Sequence, residues 1–131
     1  MIIQPNADLD DGPAVIGTHL VIREWPATGI DQEVAPLHVH DADDEAWHVI
    51  SGALRFRFID RVLIAKAGST VLIPAGTAHT FGNAGPEPSR YILILPTGLD
   101  ELIRLLHEGN QADHAAVYAR FASRMLEAPA V

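Results

Sequence analysis

The sequence predicts a mainly β, antiparallel domain of the sandwich or barrel type that ends in a short helical tail. Short runs of β-branched and aromatic residues recur at a spacing of about ten residues, and Gly, Pro and Asp separate them. After Pro96 the apolar spacing changes to that of a helix. With 131 residues the chain has the size of one domain.

Seven segments are predicted as strands because β-branched, aromatic and other apolar residues dominate them. They are residues 18–25, 45–50, 53–59, 62–66, 70–74, 79–83 and 90–95. Strands of this length with turn residues between them favour a sandwich or barrel over alternating strands and helices. We expect this β domain to occupy residues 14–96, after an N-terminal arm or edge strand at residues 1–13.

The tail, residues 97–131, is predicted to form helices that pack on the barrel or on a partner subunit. The first helix precedes Gly109 and is indicated by apolar residues at helical spacing, namely Leu99, Leu102, Ile103 and Leu106. A second helix is predicted over about 111–127, where apolar residues recur every four positions at Val117, Phe121 and Met125.

Charge and composition exclude several classes of function. The net charge is −8, so no basic patch is available to neutralise phosphates, and we expect neither nucleic acid nor a membrane surface as a partner. The chain has no cysteine, which excludes disulfides and thiolate metal sites. The N-terminus does not resemble a signal peptide and no apolar run could span a bilayer, so we expect a cytoplasmic protein.

Residues 38–52, HVHDADDEAWHVISG, concentrate histidines and acids. His38 and His40 are two positions apart in a segment with strand character, so both imidazoles face the same side. If the strand that begins at Glu45 folds back across the acidic turn, one hairpin brings three donors together. From this segment alone, an HxH pattern without function on a surface strand is the favoured interpretation.

A second segment, residues 68–83, reads GSTVLIPAGTAHTFGN. Pro74 and Gly76 predict a tight corner, and His79 follows it on the next strand. That corner could bring His79 under the first hairpin as a fourth donor.

The two segments resemble the motifs of the cupin family of small antiparallel β-barrels. In the first motif, G-x5-H-x-H-x3,4-E-x6-G, the matching positions are His38, His40, Glu45 and Gly52. In the second, G-x5-P-x-G-x2-H-x3-N, they are Gly68, Pro74, Gly76, His79 and Asn83. The first glycine of the first motif is replaced by Gln32, so the entry turn must be built differently.

The resemblance implies a jelly-roll barrel that binds one divalent metal ion through His38, His40, Glu45 and His79. Three imidazoles and one carboxylate suit Fe, Ni, Mn, Co, Cu or Zn and disfavour Ca and Mg, which prefer oxygen ligands. Four protein donors leave two positions of an octahedral ion for water, substrate or dioxygen. Cupins commonly dimerise, so the resemblance also implies a homodimer.

Strand parity assigns the side chains around this site. Residues that alternate with Glu45 point inward, whereas His48 lies on the opposite face and is not expected to be a ligand. The predicted substrate pocket consists of Trp47, Val49, Phe56, Phe58 and Phe81. Trp47 fits equally well as an ordinary core residue, and Asn83 is interpreted as structural.

Within the family, the chain resembles small single-domain cupins of the quercetin dioxygenase type. That resemblance implies a metal-dependent dioxygenase acting on a small hydroxylated aromatic or enolisable substrate, with Glu45 as ligand and catalytic base. Three alternatives stay open. They are a non-redox metal-dependent lyase, decarboxylase or isomerase; a non-catalytic small-molecule-binding protein; and an accessory subunit that docks through its helices.

Overall fold

Ten strands and two helices make up the computed structural model, which describes residues 14–30, 32–107 and 114–127. The strands are β1 (Ala14–Ile16), β2 (Leu20–Ala27), β3 (His38–His40), β4 (Glu45–Ser51), β5 (Ala53–Arg57), β6 (Val62–Lys66), β7 (Thr70–Ile73), β8 (Thr80–Asn83), β9 (Ser89–Pro96) and β10 (Ser123–Met125). The helices are α1 (Thr97–His107) and α2 (His114–Ala119). The arm predicted at residues 1–13 lies outside the described residues.

The strands pair antiparallel in three sheets, with the orders β1-β2-β9-β4-β7, β6-β5-β8 and β10-β3. Each of the seven predicted strands overlaps an observed one, so the mainly β, antiparallel prediction is confirmed. A closed barrel is not formed by these ladders. Where the β3 region meets β8, the described backbone pairs only through single bridges, Glu33 with Gly82 and His38 with His79.

The five-stranded and three-stranded sheets face each other across an aromatic core. Trp47 on β4 contacts Phe56 on β5 and Phe81 on β8, with ring centroids 5.2 and 5.3 Å apart. Edge-to-face contacts of this kind add to the stabilisation from the buried apolar area. Along β4 the buried residues alternate with more exposed ones, as strand parity predicts.

The prediction that β3 and β4 form a hairpin is wrong. One edge of β4 pairs with β7 and the other with β9, so no edge of β4 is available to β3. Instead, β3 pairs with β10, the last described strand. The acidic turn at residues 41–44 therefore connects strands of two different sheets. The carboxylate of Glu45 lies close to the histidines although β4 does not pair with β3.

The first tail helix is confirmed, but the second is much shorter than predicted. Asp100 in α1 pairs with Arg23 on β2 and so holds the helix on the sheet. Beyond Ala119 the chain leaves the helix, and Ala122 adopts a left-handed φ of 51°. Residues 123–125 then satisfy their backbone hydrogen bonds on β3, a pairing that outweighs the helical spacing of the side chains.

The entry to the first motif combines a nearby glycine, Gly29, with the distant Asn83. Gly29, three positions before Gln32, takes a φ of 88° and supplies the left-handed turn. The side-chain Nδ2 group of Asn83 donates to the backbone carbonyls of Gly29, Gly85 and Glu87. This buried network agrees with the structural interpretation of Asn83.

None of the helices in the described ranges is long and apolar enough to cross a membrane. The cytoplasmic location stays a prediction. The same holds for the expected lack of nucleic-acid and membrane partners, which rests on the charge of −8.

Candidate metal centre

Four buried side chains converge on one point, and they are the four predicted ligands. One donor atom from each of His38, His40, Glu45 and His79 lies within 4.8 Å of the others. The first two histidines come from β3, Glu45 begins β4, and His79 directly precedes β8. All four residues are at most 7% exposed. A buried His₃Glu cluster of this size suits one metal ion.

The second motif positions His79 through backbone contacts with β3. His38 and His79 exchange two backbone hydrogen bonds, of 3.1 and 2.9 Å. The turn after Pro74 is fastened by the amide of Gly76, which donates to the carbonyl of His40 at 2.8 Å. Gly76 has a φ of 83°, a left-handed conformation that favours glycine. The conformation of this turn therefore explains why the motif needs glycine there.

Two of the three imidazoles are oriented by backbone carbonyls. Nδ1 of His38 lies 2.8 Å from the oxygen of Pro36, and Nδ1 of His79 lies 2.9 Å from the oxygen of Thr77. A carbonyl can only accept, so both rings carry a proton on Nδ1. In the neutral rings Nε2 then presents its lone pair towards the cluster, the form in which histidine binds a metal.

The acceptor atoms of the cluster face one another at short distances. Oε1 of Glu45 lies 2.8 Å from Nε2 of His40 and 3.3 Å from Nε2 of His79. Neither Oε1 of Glu45 nor Nε2 of His79 has a hydrogen bond among the described residues, and both atoms are buried. Lone pairs so arranged require a shared cation, either a proton or a metal ion. The residues present therefore fit a divalent metal.

The protonation states also suit metal binding. Burial, together with the neighbouring His79 and His40, lowers the pKa of His38 to about 4, so this ring is neutral at pH 7. Burial alone would raise the pKa of Glu45, but the adjacent side chains of His40 and His79 outweigh it and lower the pKa to about 2. Glu45 is therefore ionised, and a bound cation would favour that state further.

Two residues that the sequence did not single out complete the surroundings of the cluster. Both come from residues 114–127, called the C-terminal segment below. The ring of Tyr118, which is 3% exposed, lies 5.7 Å from the ring of His38. Burial and the charge of Glu45 raise the pKa of Tyr118 to about 12, so its phenol is neutral. Ser123 lies with its Oγ 2.6 Å from Nδ1 of His40.

The predicted pocket residues all belong to the buried core, and each is at most 9% exposed: Trp47, Val49, Phe56, Phe58 and Phe81. The ring of Trp47 lies 5.7 Å from that of His79. Its indole Nε1 is buried and has no hydrogen-bond partner among the described residues. Contact of these five residues with a substrate stays a prediction.

His48, on the opposite face of β4, is not part of the cluster. Its Nδ1 lies 2.8 Å from Oγ1 of Thr70 on the neighbouring strand. The outward-facing Arg57 pairs with Glu33 and with Glu127 of the C-terminal segment. These side chains tie strands together and have no role in the candidate metal centre.

Residues 30–95 match the family model described as a cupin domain. The chain belongs to the cupin family. A structure from Klebsiella pneumoniae with a double-stranded β-helix domain is 28% identical over 72% of this chain and 82% of that one, with a TM-score of 0.56. No curated protein matches this cupin significantly.

Two further solved structures show the fold alone, because their identity is under 25%. A cupin-2 domain containing protein from Shewanella frigidimarina is 22% identical over 70% of this chain and 84% of that one, with a TM-score of 0.58. A sugar phosphate isomerase of the cupin superfamily from Silicibacter pomeroyi is 20% identical over 60% of this chain and 51% of that one, with a TM-score of 0.54.

Proposed function

We propose that this cupin binds one divalent transition-metal ion through His38, His40, Glu45 and His79 and acts as a metal-dependent dioxygenase. The substrate class is a small hydroxylated aromatic or enolisable compound. Metal binding is supported by two buried acceptor atoms, Oε1 of Glu45 and Nε2 of His79, which lie 3.3 Å apart and have no hydrogen bond in the described part of the chain. The oxygenase step rests on the resemblance to quercetin dioxygenase-like cupins.

The ligand set favours Fe, Ni, Mn, Co, Cu or Zn, because imidazole nitrogen is a borderline donor and only one hard oxygen is present. When bound, such an ion supplies Lewis acidity that lowers the pKa of a coordinated hydroxyl group. The protein's part is to hold the ligands in place and to keep water away. Burial of all four side chains serves both purposes.

Glu45 is the proposed base as well as a ligand. A carboxylate with a pKa of about 2 accepts a proton poorly while it stays beside His40 and His79. Substrate must therefore draw Glu45 away from these rings, and its carboxylate then accepts the hydroxyl proton. The pKa of Glu45 rises on that movement because the carboxylate loses the neighbouring imidazoles, which favour its charged form.

The interior around Trp47 is the proposed contact surface for the substrate. Phe56 and Phe81 stack there with ring centroids 5.6 Å apart, which favours a flat, mainly apolar molecule. The unpartnered indole N–H of Trp47 can donate to one substrate oxygen. A buried donor without a partner is destabilising, so a ligand oxygen at that position would gain a hydrogen bond at little cost.

Oxygen uptake is the test of this proposal. The protein is loaded in turn with Fe(II), Ni(II), Mn(II), Co(II), Cu(II) and Zn(II) and mixed with a panel of polyphenols and diketones. Uptake that requires a redox-active ion and disappears in Glu45→Gln would support the dioxygenase.

The remaining functions predict different results in the same assay. Turnover of a substrate without oxygen, and equally with Zn(II), would favour a lyase, decarboxylase or isomerase. Ligand binding without turnover would favour a small-molecule-binding protein, and the absence of both would favour an accessory role.

The homodimer implied by the resemblance remains a proposal. Support comes from β6, an edge strand of the three-stranded sheet, where Val62, Leu63 and Ile64 are 48%, 43% and 48% exposed. Exposed apolar side chains on an edge strand suit contact with a second copy. Light scattering after size-exclusion chromatography should give about twice the monomer mass, and a Leu63→Lys variant should shift it towards the monomer.

A further inference from the structure

His40 is the only one of the three cluster histidines whose Nδ1 contacts a side chain. Its partner is Ser123, with a distance of 2.6 Å from Nδ1 to Oγ. His40 is 6% exposed and Ser123 5%, so water does not compete freely for this hydrogen bond. Ser123 lies outside both cupin motifs, 83 residues after His40.

The direction of this hydrogen bond follows from a second contact of the same hydroxyl. Oγ of Ser123 lies 3.0 Å from the carbonyl oxygen of Phe121, which can only accept. A serine hydroxyl has one proton, and donation to Phe121 leaves lone pairs for Nδ1 of His40. His40 must then carry its proton on Nδ1, and the lone pair of Nε2 faces Glu45 and the cluster.

The alternative hydroxyl rotamer would have the opposite effect. If Ser123 donated to His40, Nδ1 would have to be the unprotonated nitrogen. The proton of the neutral ring would then sit on Nε2, 2.8 Å from Oε1 of Glu45, and would block a metal at that position. The carbonyl of Phe121 selects against this arrangement because it would be left without the donor.

Backbone contacts on both sides hold Ser123 in register with His40. The two residues are directly paired in the β10–β3 ladder. On one side the amide of Asp41 donates to Ala122, and on the other the amide of Leu126 donates to Leu37, both at 2.8 Å. The backbone pairing of β10 with β3 therefore fixes the position of Ser123 relative to His40.

We propose that Ser123 is a positioning residue for the metal centre and that strand β10 is therefore a functional part of the site. The hydroxyl holds His40 in the metal-binding tautomer without contacting the metal. This inference rests on the metal binding proposed above. Groups that orient metal-bound histidines contribute about 10- to 100-fold to metal affinity.

Cobalt(II) binding to the full chain tests the proposal with four proteins: wild type, Ser123→Ala, Ser123→Thr and Arg124→Ala. Affinity is measured by competition with a chelator, and the visible absorption spectrum reports the ligand geometry. Ser123→Ala should weaken binding by about tenfold or more and change the spectrum. Ser123→Thr keeps the hydroxyl and should restore most of the affinity.

Arg124→Ala is the matched control. Arg124 lies on the same strand, its side chain is 61% exposed, and it pairs with Asp41 away from the cluster. It should bind cobalt as the wild type does. Far-UV circular dichroism and urea unfolding verify that all variants are folded.

Each other outcome has a definite meaning. Equal affinity of Ser123→Ala and wild type would overturn the proposal. Equal losses in Ser123→Ala and Arg124→Ala would also overturn it, because docking of the strand, not the hydroxyl, would then be responsible. Failure of the wild type to bind cobalt would overturn the proposed metal-binding function and this inference together.

Discussion

The motif region, residues 38–83, and the C-terminal segment, residues 114–127, contribute to the candidate metal centre in different ways. The motif region supplies all four donor groups, and turns with fixed spacing bring them together. The C-terminal segment supplies no donor. It buries Tyr118 against His38 and places the hydroxyl of Ser123 on the far side of His40.

The difference separates two requirements of a metal site. Donor identity depends on local sequence, because strand parity and one glycine turn set the spacing. For His40, donor orientation depends on a strand that lies 83 residues later in the sequence. Substitutions in the two regions should therefore change different measured quantities.

The largest effect is expected from His79→Ala in the motif region. Loss of one of four ligands, from a buried cluster, should weaken metal binding by more than about 100-fold, whereas the far-UV circular dichroism spectrum should be retained. Cobalt affinity by calorimetry is the measurement. The control is His48→Ala, which removes a histidine from the outer face of β4 and should leave the affinity unchanged. A loss of metal in that control would mean that the wrong face of β4 had been assigned to the site.

In the C-terminal segment, Tyr118→Ala should act mainly on stability. Truncating a buried aromatic ring lowers the free energy of unfolding by about 3–5 kcal/mol, measured by urea titration. Tyr118→Phe removes only the hydroxyl and should cost about 1 kcal/mol or less. Both variants should still bind one metal ion per chain. If Tyr118→Phe abolished metal binding, the segment would supply a donor and the contrast between the two regions would fail.

Lowering the pH should destabilise the metal-free, chelator-treated protein, because His38 and Glu45 in the motif region have lowered pKa values in the folded chain. The pKa of His38 is about 4 in the folded chain against 6.5 when unfolded. Between these values only the unfolded chain takes up the proton, so stability falls as the pH drops from about 6.5 to 4. This difference between the two pKa values corresponds to a loss of about 3 kcal/mol in the free energy of unfolding. Glu45, with a pKa of about 2 against 4.5, adds a further loss below about pH 4.5.

Urea unfolding at pH 7, 5.5 and 4 measures this effect. His38→Ala should flatten the dependence between pH 6.5 and 4, whereas His48→Ala should keep it. An unchanged slope in His38→Ala would show that another group is responsible for the acid sensitivity.

The smallest effect is expected from Trp47→Phe, which removes the unpartnered indole N–H and keeps an aromatic ring. If that N–H binds a substrate oxygen, the KM should rise several-fold, as for one lost hydrogen bond of about 1 kcal/mol. The metal content should not change. An unaltered KM with an active substrate would place the substrate away from Trp47.

The four candidate ligands could be predicted from the sequence through the family motifs, and only part of their arrangement follows from local rules, because the hairpin expected to bring Glu45 to the histidines does not form. Residues two apart on a strand share a face, and the turn at Gly76 has one favourable conformation. The inward positions of Trp47 and Val49 follow from the same alternation.

The partner of β3 could not be predicted in this way. Val117, Phe121 and Met125 have helical spacing, and all three do pack on the core, although not from one helix. Residues 123–125 form a strand because the edge of β3 offers hydrogen bonds, a tertiary contact with no local signal. Ser123 was missed for the same reason.

Metal analysis of tag-free protein, purified without chelators, tests the central claim most directly. Inductively coupled plasma mass spectrometry should find about one transition-metal ion per chain in the wild type and almost none in His79→Ala. A wild type that holds no metal, even after incubation with each candidate ion and removal of the excess, would contradict the account.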